Sequence, residues 1–177
     1  MHRLFVGLRP PPAIRDALMD IQQGIENARW QDDEQLHLTL RFCGEMSAER
    51  ADDLALALQR IDAVPFTLTL AGSGHFERKG MPSAVWVGAQ PSEPLLRLHR
   101  QVEHACRSAG LEAEARKFVP HVTTARLNRS SGPAASWLAA NATLEMPPWD
   151  VEHFTLFESH LSPEGSRYEE ILRISLR

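Results

Sequence analysis

The chain has 177 residues, 43% hydrophobic and 24% charged, and a net charge of −4. That length and balance fit one globular domain with a real core and lie far from disordered compositions. The acidic net charge argues against a broad electrostatic footprint on long nucleic acids, although one or two local cations suffice for a small or terminal phosphate. No run approaches the roughly 20 apolar residues a spanning helix needs, and the opening MHRLFVGLRPPP lacks the apolar stretch of a signal peptide, so a cytoplasmic protein without membrane association is expected. Cys43 and Cys106 stand in unrelated contexts and read as small apolar residues rather than as a disulfide or zinc pair.

In chain order, Arg3 to Leu8 reads as a strand stopped by Pro10-Pro11-Pro12. Pro12 suits the first turn of a helix predicted from Ala13 to Ala28, with Ile14, Leu18, Ile21 and Ile25 on its apolar stripe. Leu36 to Phe42 alternates with period two, which gives a strand whose polar face carries His37, Thr39 and Arg41. A second helix opens at Ser47, carries Leu54, Leu58 and Ile61 inward, and is ended by Pro65. Phe66 to Leu70 is a further alternating strand, closed by the turn residues Ala71-Gly72-Ser73-Gly74.

The second half repeats the order. A strand at Ala84 to Gly88 precedes a helix from Glu93 to Ser108, with Leu95, Leu98, Val102 and Ala105 inward and Gly110 as C-cap. A strand from Phe118 to Arg126 follows. Residues 128–148 are rich in turn formers and allow one short helix at most. Two closing strands, Val151 to Leu161 and Tyr168 to Leu176, flank a turn at Ser162 to Gly165. Strands and helices alternating in two similar halves predict an α+β protein of two related lobes. The internal repeat is weak outside one pair of motifs.

Those motifs are His37-Leu38-Thr39 and His121-Val122-Thr123. On a strand, residues i and i+2 share a face, so each motif sets an imidazole beside a hydroxyl. Imidazole titrates near neutrality, so two of them can divide general-acid and general-base work, while hydroxyls donate to phosphoryl oxygens. His-x-Thr is short enough to arise by chance, and only the pair on two strands makes a site. The other histidines show no such partner; His99 and His104 are spaced i, i+5, not the i, i+4 of a helical zinc site, so no metal and no cofactor is assigned.

The segments Arg3 to Leu8, Leu36 to Glu45, Val85 to Gly88, Pro120 to Arg126 and Glu158 to Tyr168 together resemble the two-histidine phosphoesterase superfamily. Most similar are its bacterial and archaeal RNA 2′,3′-cyclic phosphodiesterases, once described as 2′-5′ RNA ligases. The resemblance implies one bilobal domain over residues 1–177, each lobe of mainly antiparallel sheet flanked by helices and contributing one motif to a central cleft. It implies His37 as proton donor, His121 as proton acceptor, and Thr39 and Thr123 as phosphate ligands. Arg126 matches the family's arginine after the second motif, yet strict alternation from His121 points it away from the cleft unless a bulge redirects it. Arg41 and Phe42 are further candidates for substrate binding, and Phe5 and Phe118 read either as base-stacking or as core residues.

Thr124 and Cys43 depart from leucines usual in the family; parity places both away from the cleft. The implied partner is RNA ending in a 2′,3′-cyclic phosphate, or a small nucleotide, acted on by a monomer. Cyclic nucleotides, ADP-ribose cyclic phosphate, 2′-5′ linked oligonucleotides and a non-catalytic RNA-end-binding module stay open as alternatives.

Overall fold

A computed structural model describes residues 1–177. The strands are β1 (His2–Leu8), β2 (Arg29–Trp30), β3 (Leu38–Met46), β4 (Phe66–Leu68), β5 (Leu70–Arg78), β6 (Met81–Ala89), β7 (His121–Arg126), β8 (Trp149–Val151), β9 (His153–Ser162) and β10 (Gly165–Ser175). The helices are α1 (Pro12–Asp20), α2 (Ala48–Gln59), α3 (Glu93–Ser108) and α4 (Ala135–Ala140). This is the expected α+β architecture of mainly antiparallel sheet with helices against it.

The main sheet runs β10-β9-β1-β3-β7-β6-β5, with β2 attached to β7; β4 and β8 pair separately. Four strands built on β1 and three built on β6 meet along β3 and β7, where Leu38 opposite Val122 is the single registered pair. So sparse a ladder lets the two groups of strands splay there, and each His-x-Thr motif lies beside the seam.

One sheet face is apolar and packs on the helices. Leu4, Val6, Leu8, Leu38, Val85, Val87 and Val122 join Leu54, Leu58, Leu95, Leu98 and Val102 in one core. Ser47 caps α2 by accepting from the Arg50 amide, and Ser92 caps α3 from the Leu95 amide. Gly110 ends α3 at φ +94°, as its predicted capping role requires.

Beside shifts of a few residues at strand ends, such as β7 starting at His121 rather than Phe118 and β6 at Met81 rather than Ala84, two boundaries differ most from the sequence expectation. Helix α1 stops at Asp20, because Gly24 and Asn27 take positive φ and the Ile21 carbonyl accepts from the Trp137 indole. Ile25 is buried all the same, from a loop rather than a helix. Ala71 to Gly74 is not a turn but part of β5: Gly72, at φ +72°, sits in a register shift between Leu70 and Ser73. The chain reverses instead at Lys79-Gly80, both at positive φ between the paired Arg78 and Met81, the two-residue hairpin geometry that matches strand twist.

The cysteines touch across β3 and α3, their sulfurs 3.8 Å apart and both reduced, with Cys106 fully buried and Cys43 half-buried. No helix is long and apolar enough to cross a membrane.

Candidate active site

Opposite the helices, the other sheet face carries both motifs. His37, Thr39, His121, Thr123 and Arg126, with Gln31, Gln35, Phe76 and Tyr168, line a cavity of about 110 Å³ at the seam. It adjoins a wider cleft of about 610 Å³ that shares Thr39, Phe76 and His121 and reaches Phe42, Arg116, Lys117 and Phe118.

The two imidazoles are held alike. His37 Nδ1 lies 2.7 Å from the Gln35 carbonyl and His121 Nδ1 lies 2.5 Å from the Val119 carbonyl, each two residues upstream. A carbonyl only accepts, so Nδ1 carries the hydrogen in both rings and Nε2 is left for chemistry. Gln35 is itself anchored: its backbone N–H donates to the Asp32 carboxylate, its side-chain oxygen accepts from the Asp32 N–H, and its side-chain nitrogen donates to the Ser166 carbonyl at 2.9 Å. The Thr39 hydroxyl stands 2.9 Å from His37 Nε2 and donates to it when the ring is neutral.

Aromatic walls fix the ring planes. His37 lies 4.7 Å from Phe5 and edge-on to Tyr168 at 5.0 Å, while Phe157 stacks on Phe5 behind them. His121 lies edge-on to Phe76 at 4.8 Å and 5.4 Å from Trp86. Trp86 covers Gly74, where an added Cβ would come within 2.2 Å of the indole. Gly74→Ala must therefore displace the wall of His121, and a loss of about 1–3 kcal/mol in stability together with reduced turnover is expected. Urea unfolding and kinetics check this; a variant matching the parent in both would show that the wall moves freely.

Two β-bulges decide which arginine reaches the cavity. Along β7, Thr123 pairs with Trp86 but Ala125 with Val85, so Thr124 is the extra residue; it is fully buried and donates to the Val85 carbonyl. The insertion reverses parity, and Arg126 falls on the face of His121 and Thr123. Along β3, Thr39 pairs with Gly7 but Arg41 with Val6, so Leu40 is the extra residue. Arg41 is thereby turned from the histidine cavity toward the helix side, against the expectation that it shares the face of His37, although it still lines the wider cleft. Its guanidinium is buried and donates to Glu103 of α3 at 2.6 Å and to the carbonyls of Phe42 and Glu112. Phe42 consequently lies on the cleft side, paired with Phe5, about one-third exposed under the Arg3 guanidinium. Phe5 is buried, and Phe118 stacks at 3.8 Å on His99.

Burial depresses both catalytic-candidate imidazoles. His37 is pushed down to about 4, first by desolvation and further by the charges of Arg126 and His121, against a partial lift from the Gln35 carbonyl. His121 is lowered by desolvation and by Arg126, against a lift from Val119. Because the folded pKa of His37 lies below its unfolded 6.5, the unfolded chain binds more protons in between, and stability is lost as pH falls from about 6.5 to about 4. The loss attributable to His37 is about 3 kcal/mol. Denaturant titrations should show a shallower pH slope in His37→Gln; an unchanged slope would contradict the depressed pKa.

Sequence reasoning missed Gln31, Gln35, Phe76, Trp86 and Tyr168 as parts of the site. Gln35 acts through its backbone, and the others come from elements brought together only by the sheet.

Residues 10–163 match the 2′-5′ RNA ligase superfamily. The RNA 2′,3′-cyclic phosphodiesterase of Thermus thermophilus is 36% identical over 99% of this chain and 90% of its own. That of Escherichia coli K12 is 31% identical over 99% and 97%. The crystal structure of E. coli LigT complexed with 3′-AMP superposes with a TM-score of 0.80 at 30% identity, covering 99% of this chain and 98% of its own. The chain belongs to the 2′-5′ RNA ligase superfamily.

Proposed function

We propose that this chain hydrolyses the 2′,3′-cyclic phosphate at an RNA end to a 2′-phosphomonoester, with its two histidines as acid and base. The observation that carries the reading is the pair of imidazoles, each locked through Nδ1 to a main-chain carbonyl, sharing one small cavity with Arg126. Relatives covered almost end to end bear the name of that activity.

His121 Nε2 takes a proton from water as the water oxygen bonds to phosphorus. The P–O3′ bond breaks, and Nε2–H of protonated His37 gives its proton to O3′. Thr39, Thr123 and Arg126 donate to the non-bridging oxygens, where negative charge develops. Solvent exchange then returns a proton to His37 and removes one from His121. No carboxylate lines the cavity, and its fixed charge is the Arg126 guanidinium, a donor set made for an anion rather than a divalent cation.

The active form carries one proton on the imidazole pair. Both rings are depressed in the free protein, so that form becomes scarcer as pH rises above 6.5. Accordingly kcat/KM is expected to fall about tenfold per pH unit between 6.5 and 8. The bound phosphate anion favours the imidazolium, so kcat should fall only at higher pH. A kcat/KM that is flat or rising over that range would contradict the assignment.

The wider cleft, with Phe42 at its side and Arg116 and Lys117 on its rim, suits an unpaired strand leading away from the phosphate. The protein acts in this reading as a cytoplasmic monomer. Incubation with oligoribonucleotides ending in a 2′,3′-cyclic phosphate, with 2′-5′ linked oligonucleotides and with cyclic mononucleotides tests the substrate. Preferred opening of the RNA cyclic phosphate supports the proposal; binding without product at any pH would instead identify an end-binding module.

A further inference from the structure

We propose that His2, Glu158, His160 and Glu169 form a binding site for a divalent transition cation of the zinc class, on the sheet face opposite the histidine cavity. Glu158 of β9 and Glu169 of β10 stand directly opposite one another in register. Glu158 also pairs with Leu4 of β1, whose side chain lies in the core on the helix side. By strand parity His160, two residues after Glu158, and His2, two residues before Leu4, share that face. Three adjacent strands thus converge two carboxylates and two imidazoles.

The distances suit a cation. Ligand atoms of Glu158, His160 and Glu169 lie within 4.8 Å of one another. His2 Nδ1 is 2.7 Å from Glu158, and His160 Nε2 is 3.0 Å from Glu169. Tetrahedral zinc with bonds of about 2.0–2.2 Å keeps neighbouring ligand atoms about 3.3–3.6 Å apart. The two close pairs need to open by less than about 1 Å and the wider separations among Glu158, His160 and Glu169, up to 4.8 Å, to close by about 1.5 Å, while His2 joins by swinging in from its contact with Glu158.

Two glutamates face to face across an antiparallel pair repel. One dication between them cancels both charges, and imidazoles select a transition metal over calcium or magnesium. Glu158, the most buried of the two carboxylates at 15% side-chain exposure, is the anchoring ligand. The residues beside these ligands point to the other face, where Phe5, Phe157 and Tyr168 pack around His37. A bound ion would tie together the three strands that form that wall.

The test is calorimetric titration of zinc chloride into chelator-treated full-length protein, beside thermal unfolding with and without zinc. One zinc per chain, with a rise in the unfolding midpoint, is expected. Glu169→Gln and His160→Asn should each weaken binding at least tenfold and abolish the rise, while a His37→Gln, His121→Gln double variant should bind as the parent does. Absence of saturable binding would overturn the proposal, as would binding lost in the double variant but kept in Glu169→Gln and His160→Asn. Because the readouts are binding and stability, they stand apart from the phosphodiesterase reading.

Discussion

Replacing either His37 or His121 with Ala should lower kcat on RNA 2′,3′-cyclic phosphate by on the order of 10³-fold while the protein stays folded. Each ring supplies a proton transfer that no neighbour can replace: the other cavity groups are hydroxyls, amides, Phe76 and a guanidinium. At neutral pH His37 is uncharged in the folded chain, so its removal leaves no buried charge unpaired and forfeits only its contacts with Phe5, Tyr168 and the Gln35 carbonyl, and the fold is expected to persist. The two variants should differ in pH dependence. His37→Ala loses the group whose protonated form the reaction needs, and the alkaline fall in its residual rate should disappear. In His121→Ala the acidic limb should go instead. Kinetics at several pH values, with circular dichroism to confirm folding, measure this. Activity within tenfold of the parent in either variant would refute the division of labour.

The two arginines should separate cleanly. Arg126→Ala is expected to cost on the order of 10²-fold in kcat/KM, because a cationic donor to the phosphate is lost, with little change in stability at this exposed position. Its loss should also raise the pKa of both imidazoles, since its charge opposes their protonation. Arg41→Ala takes the guanidinium donor from the carbonyls of Phe42 and Glu112 and from the carboxylate of Glu103, which keeps only the Glu114 N–H among its hydrogen bonds. A loss of about 3 kcal/mol is expected, near the low end for a broken buried pair because Glu103 keeps some solvent contact. At about 2–4 °C per kcal/mol, that is a fall of roughly 6–12 °C in the unfolding midpoint. Below that temperature turnover should persist. The reverse pattern, with Arg41 needed for turnover and Arg126 for stability, would overturn the bulge argument.

The two bulges also mark the limit of what the sequence reveals. Period-two alternation and the repeated His-x-Thr spacing placed both imidazoles and both hydroxyls on cleft-facing strand positions, since parity is reliable over two residues. Over four or five residues it is not. Leu40 and Thr124 are ordinary strand residues with no signature of a bulge, yet each reverses parity and exchanges the places of Arg41 and Arg126. Glycine likewise misled at Gly72 and Gly74, where positive φ serves a bulge and the lack of a Cβ admits Trp86, rather than either marking a turn. Tyr168 and Phe76 are far from either motif in sequence and reach the site through strand order alone. The helix boundaries that were legible, at Ser47, Ser92 and Gly110, are those where a capping side chain or a C-terminal glycine does local work.

Phosphorus NMR of the product most directly tests the central claim that two imidazoles open a cyclic phosphate by displacing O3′. The purified protein, acting on an oligoribonucleotide with a 2′,3′-cyclic phosphate end, should convert the cyclic resonance into that of a 2′-phosphomonoester alone. A 3′-phosphomonoester, or an unchanged cyclic resonance, would contradict it.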